Sequence, residues 1–224
     1  MIKIKHIEKK IKYQKPLIID NLTIEKGGIY IILGHNGSGK STLLKILYNI
    51  IEFDKGEIDI DSEGFSNEIC QKYMAYNPQN ACFLRGTLEE NFEFVYKYNK
   101  NKNLLSKDDL SKLVKEFKLE NKLKTDVRKL SGGEQSKAQF IRTLILNKDY
   151  ILLDEPMASL DFQTRNLVER KIKELRNKNK TIILVTHDII QAKLLGEKII
   201  FMENLNLLGT YNSDEFFDEK LNSI

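Results

Sequence analysis

Apolar and polar positions alternate at the start of the chain, where Ile2 and Ile4 stand between Lys3 and Lys5. A period of two predicts a strand, here read as a sheet edge. Leu22 and Ile24 repeat the pattern, which stops at a turn, Lys26-Gly27-Gly28. Ile29 to Leu33 is then apolar without interruption, as expected of a strand covered on both faces. From Ser41 to Ile51 the period changes, and Leu43, Leu44, Leu47 and Ile51 fall on one helical stripe. Glu57 to Asp61 alternates again and predicts a short strand.

From Leu88 to Asn147 the pattern is helical, with few strand signals. Ser106 followed by Asp109 predicts a capped helix through Leu119, and another helix should begin after Ser131. The chain then returns to alternation of strands and helices. Tyr150 to Leu153 is a strand, Gln163 to Lys178 a helix and Thr181 to Val185 a strand. A helix from Asp188 and a strand from Lys198 to Met202 follow. Such alternation implies a mostly parallel sheet. One α/β domain over 1–224 is expected, with a core of 1–87 and 148–224, a helical insertion at 88–147 and a short tail after Met202, too short for a regulatory domain.

Composition narrows the function. A hydrophobic fraction of 41% supports a real core, and 3 prolines with 12 glycines exclude a low-complexity chain. The net charge of +4 is spread along the sequence, so no nucleic-acid partner is expected. Cys70 and Cys82 cannot build a disulfide framework and match no zinc spacing. No apolar run approaches the roughly 18 residues of a membrane span, and the basic N-terminus lacks a signal-peptide core. A cytoplasmic chain is expected, reaching a membrane only through a partner.

The chemistry is concentrated in three places. Gly34-His35-Asn36-Gly37-Ser38-Gly39-Lys40-Ser41 fits the pattern G-x-x-x-x-G-K-[ST], between a buried strand and a helix. Glycines let successive N–H groups point inward at phosphate oxygens, and the helix adds its positive end. Lys40 supplies a point charge for the β- and γ-phosphates, and the Ser41 hydroxyl is a ligand for Mg²⁺. Ile151 to Glu155 is an apolar strand ending in two carboxylates. Asp154 can hold the metal or its water, and Glu155 can polarise an attacking water. Leu130-Ser131-Gly132-Gly133-Glu134-Gln135 is a capping box that also forms a second anion site. One nucleotide does not need two such sites, so this one suggests a nucleotide held by another copy.

These motifs, in this order and over nearly the whole length, resemble an ATP-binding-cassette (ABC) ATPase, the nucleotide-binding subunit of an ABC transporter. Gly34 to Thr42 is the Walker A loop, Ile151 to Glu155 the Walker B strand and Leu130 to Gln135 the signature. Gln79 in Asn77-Pro78-Gln79 is similar to the Q-loop, Ser159-Leu160-Asp161 to the D-loop and His187 to the switch histidine. Tyr13 resembles the aromatic residue that stacks on adenine. The chain departs at Ser136-Lys137, where the family has Gln-Arg, at Glu134 for glutamine and at Met157 for threonine. Arg142 still matches the second family arginine.

The resemblance implies a P-loop NTPase core with a mostly parallel sheet, N-terminal antiparallel strands and an inserted helical subdomain. It implies Mg-dependent ATP hydrolysis, with Ser41, Gln79 and Asp154 around the metal. Glu155 would polarise water, His187 would touch the γ-phosphate and Asp161 would link two sites. Ser131, Gly132 and Gly133 of a second copy would complete the site in a head-to-tail dimer. Permease subunits, and for an importer a substrate-binding protein, are the further partners, with the chain peripheral on the inner face of the membrane. His187 to Ala192, followed by Leu194, Leu195 and Asp214 to Phe217, resembles ATPases of importers of oxyanions such as tungstate, molybdate or phosphate, whereas Leu84 to Asn91 equally resembles exporters. A non-transport ABC ATPase is the alternative class, although such relatives usually carry a long coiled-coil insertion or two cassettes.

Overall fold

The structure, a computed structural model, describes residues 1–99 and 103–220. Residues 100–102 of the expected helical stretch and 221–224 of the expected domain lie outside the described residues. The described strands are β1 (Ile2–Lys9), β2 (Leu17–Ile24), β3 (Gly28–Leu33), β4 (Lys55–Ile60), β5 (Met74–Asn77), β6 (Tyr150–Asp154), β7 (Thr181–Val185), β8 (Lys198–Glu203) and β9 (Asn206–Asn212). They form one sheet in the order β4-β1-β2-β9-β8-β3-β7-β6-β5. From β8 to β5 every neighbouring pair is parallel, and β4-β1-β2 is antiparallel. This is the mostly parallel α/β core that the patterning implied, with the N-terminal antiparallel strands that the family resemblance implied.

The unbroken apolar runs have a simple cause, since successive side chains of a strand face opposite ways. Ile31, Leu153 and Leu184 enter one core, and Ile32, Leu152 and Ile183 enter the other. The first core is covered by α3 (Leu88–Tyr98), α4 (Lys107–Glu116), α5 (Gly132–Ile145), α6 (Phe162–Asn177) and α7 (Ile189–Leu195). The second packs α1 (Lys40–Leu47) and the N-terminal strands, with Cys70 of α2 (Asn67–Tyr73) buried among them. Each helix start has a local reason. Thr87 and Ser131 close full capping boxes at α3 and α5, and Ser106 caps α4.

Three expectations need correction. β1 is not an edge strand, because β2 and β4 pair with its two sides. Alternation records one buried face, whereas an edge is a matter of backbone pairing, which side chains do not report. α1 ends at Leu47 rather than Ile51, because the chain turns at Asn49 in the left-handed region (φ +58°). The segment after Met202 is not merely a tail. β9 returns antiparallel to β8, and Phe216 and Phe217 seal the first core. The short α2 and β5 were not foreseen either, since a strand as brief as Met74–Asn77 carries too few periods to stand out.

Leu152 is wholly buried at the middle of β6. Leu152→Ala should destabilise the fold by about 2–5 kcal/mol in urea unfolding, the range for a buried leucine cavity. A change below about 0.5 kcal/mol, typical of a surface site, would contradict its central position.

Candidate functional site

Parallel register brings the reactive loops to one end of the sheet. Ile32 of β3 and Asp154 of β6 both pair with Val185 of β7, so the three residues form one cross-sheet row. Gly34, Glu155 and His187 leave the sheet one or two residues beyond that row. Asn77 pairs with Leu153, which sends Gln79 out at the same end. Ligands bind at this carboxyl end of parallel strands, where chain directions diverge.

The loop from Gly34 to Gly39 leads into α1. Gly34 is required by close approach: a Cβ there would stand 2.1 Å from the Met202 carbonyl oxygen. Gly39 holds φ +98° where the helix begins. The first N–H groups of α1 have no partner within the helix and suit an anion. Lys40 is nearly buried, and its Nζ donates to the carbonyls of Gly34 (2.8 Å) and His35 (2.9 Å). Burial lowers its pKa, opposed by the charges of Glu155 and Asp154. Ser38 Oγ is buried without a hydrogen-bond partner in the described structure.

Asp154 is fully buried at the end of β6. Ser41 Oγ donates to its Oδ1 (2.8 Å) and Tyr76 Oη to its Oδ2 (3.2 Å). Burial raises its pKa, against the lowering effect of these two bonds. Glu155 follows with φ +47°, a strained conformation for a glutamate, while its N–H donates to the Val185 carbonyl (3.1 Å). Gln79 Nε2 donates to Glu155 Oε2 (3.2 Å), and His187 Nδ1 lies 3.3 Å from Glu155 Oε1. A glutamate is thus held between an amide and an imidazole.

These groups face a cavity of about 600 Å³. Asn36, Gly37, Gly39, Lys40, Ser41 and Thr42 line its loop side, and Gln79, Glu155 and His187 its other side. Gly34 and Ser38 are not among the lining residues. His35 turns toward the β8–β9 turn, where its Nε2 accepts from the Asn204 N–H (3.4 Å). Tyr13 is not in the lining. It is 92% exposed with φ +63°, which swings the ring outward beneath the Lys12 ammonium (5.0 Å). Ile11, Gln14 and Leu205 stand at that end of the cavity instead. No motif marked these three, nor Tyr76.

Ser131, Gly132 and Gly133 also lie outside this lining. The Ser131 N–H donates to Glu134 Oε2 (2.8 Å), and the Glu134 N–H donates to Ser131 Oγ (3.3 Å). Gly133 abuts the D-loop, since a Cβ there would be 3.3 Å from the Ser159 carbonyl oxygen. Asp161 caps α6 by accepting from the Thr164 N–H (2.9 Å). Among the described residues no group of three or more His, Cys, Asp or Glu could hold a metal. The donor set of one hydroxyl and one carboxylate fits a hard cation that keeps waters and substrate phosphates as its other ligands.

Residues 19–158 match the ABC transporter family. The chain is 31% identical over 225 residues to the probable sulfate/thiosulfate import ATP-binding protein CysA of Chlorella vulgaris, covering 99% of this chain and 95% of that protein. The bacterial ABC transporter cassette MJ0796, solved as a dimer, superposes with a TM-score of 0.80 at 29% identity over 95% of this chain and 99% of its own. Its post-hydrolysis dimer bound to ADP and Pi gives 0.78 at 28% identity, with 95% and 99% covered. An ATP-binding subunit of another ABC transporter shares the fold at 21% identity, with a TM-score of 0.84 over 96% of this chain and 91% of that one. The chain belongs to the ABC transporter family, as the subunit that binds and hydrolyses ATP to energise transport.

Gly34→Ala should lower the melting temperature by at least about 2 °C, as overpacking against backbone costs about 1–3 kcal/mol. An unchanged melting curve would contradict the close packing of Gly34 on Met202.

Proposed function

We propose that residues 1–224 form one nucleotide-binding domain whose core (1–87 and 148–224) binds ATP and whose helical subdomain (88–147) presents the signature. The observation that carries this reading is Glu155 poised between Gln79 and His187 beside the Lys40 loop. Main-chain N–H groups from Asn36 to Thr42 hold the triphosphate, and Lys40 lies against its β- and γ-phosphates. Ser41, Asp154 and Gln79 would hold Mg²⁺, which would supply charge neutralisation on the phosphates. Glu155 orients the attacking water and accepts its proton, while His187 contacts the γ-phosphate. Tyr13 would reach adenine only by turning inward from its exposed position.

A second copy completes the site. Ser131 and Gly132 are exposed and outside their own chain's cavity, which suits an N-terminal helix end offered to a partner's γ-phosphate. The dimeric cassettes at 28% and 29% identity support that pairing. No helix among the described residues is long and apolar enough to cross a membrane. Membership of the ABC transporter family supports action on permease subunits, from the cytoplasmic face. An apolar groove of about 380 Å³ between Phe83, Leu84, Phe94 and Tyr98 is suited to receive them. Similarity to a probable sulfate/thiosulfate import protein supports import of an oxyanion, with a substrate-binding protein delivering it.

Two variants test the assignment. Glu155→Gln should cut turnover by roughly 10²–10⁴, the range for a general base, while ATP affinity holds. With ATP it should run as a dimer in gel filtration; a monomer at high protein concentration would count against the shared site. Lys40→Ala should instead weaken ATP binding, because no neighbouring side chain replaces its charge. Wild-type affinity in that variant would mean the phosphates lie elsewhere.

A further inference from the structure

The loop carrying Gln79 is fastened at both ends to one face of α5. At its entry, Asn77 Oδ1 lies 3.3 Å from Thr143 Oγ1, whose hydroxyl is shared with the Gln139 carbonyl (3.0 Å). At its exit, the Cys82 N–H donates to Gln139 Oε1 (3.2 Å). Arg142 Nη2 donates to the same Oε1 (3.0 Å), and its guanidinium lies over the Phe83 ring (5.0 Å). Gln139 and Thr143 are one helical turn apart, so a single face of α5 meets both ends of the loop. Asn77, Gln139 and Thr143 are each at most 3% exposed. Burying three such groups is tolerated because each is hydrogen-bonded, Asn77 with Thr143 and Gln139 with the Cys82 N–H and Arg142.

The same helix begins at Ser131 and Gly132. Ser131 stands about 12 Å from Gln139 along a rigid helix. A displacement of the signature end must therefore reach the loop ends, and through Gln79 it reaches Glu155. We propose that Gln139 and Thr143 are positioning residues, clamping the Gln79 loop to the signature helix so that the Gln79–Glu155 contact follows where that helix sits. The inference rests on Gln79 and Glu155 belonging to the hydrolytic site.

The test uses the whole chain, with steady-state ATP hydrolysis and equilibrium ATP binding. Gln139→Leu removes the acceptor shared by Cys82 and Arg142. Turnover should fall about tenfold, the worth of a buried hydrogen bond, with the ATP dissociation constant within about twofold. Gln139→Glu keeps an acceptor oxygen and should retain at least about half of the wild-type turnover. On a Gln79→Ala background, Gln139→Leu should add no further loss, because the clamp acts through Gln79. Should Gln139→Leu not fold, Thr143→Val must give the same split between turnover and binding. Wild-type turnover in Gln139→Leu, equal losses in the leucine and glutamate variants, or additive losses with Gln79→Ala would overturn the clamp. Gln79→Ala alone at the wild-type rate would instead overturn the assignment of the hydrolytic site.

Discussion

The buried carboxylate of Asp154 is the group on which the site depends. Burial of a charge is unfavourable unless hydrogen bonds compensate it, and Asp154 has two. Ser41 ties it to the first turn of α1, and Tyr76 ties it to β5. Tyr76 in turn stacks on Tyr48 at the far end of α1, with ring centroids 5.5 Å apart. One carboxylate thereby fixes the phosphate loop, the Walker B strand and the stem of the Gln79 loop relative to one another. The strain at Glu155 is maintained by the same row, through its N–H bond to Val185.

The two cores place the parts of this arrangement on opposite faces of the sheet. α1 packs in the core shared with the N-terminal strands, so the phosphate loop belongs to the body of the sheet. α3, α4 and α5 pack on the opposite face together with Leu153 and Leu184. The signature is carried on that second layer. Polar contacts around Gln139 join that layer to the loop carrying Gln79, whose amide donates to Glu155.

Most of this was legible in the residues, for definite reasons. Uninterrupted apolar runs at Ile29 to Leu33 and Tyr150 to Leu153 are of strand length and fit strands buried on both faces, and the glycine-rich loop follows the first of them. Chain order then placed Glu155 and His187 at the same end. β9 escaped notice because its residues alternate between partly and fully exposed, giving no apolar stripe. The tight turn Asn204-Leu205, with φ +48° and +66°, brings Leu205 to the cavity; Asn204 suits such a turn, but Leu205 rarely adopts a positive φ. Tyr13 shows the converse: the motif supplied a ring, but the backbone conformation decides where the ring points.

The loop from Gly34 to Thr42 is proposed to bind its ligand by the phosphates, with Ile11, Gln14 and Leu205 also lining the cavity. Competition binding of ATP against AMP to the wild-type chain tests this directly. AMP should bind at least about 100-fold more weakly, equivalent to about 2.7 kcal/mol held by the β- and γ-phosphates. AMP binding within a few-fold of ATP would contradict a phosphate-centred site.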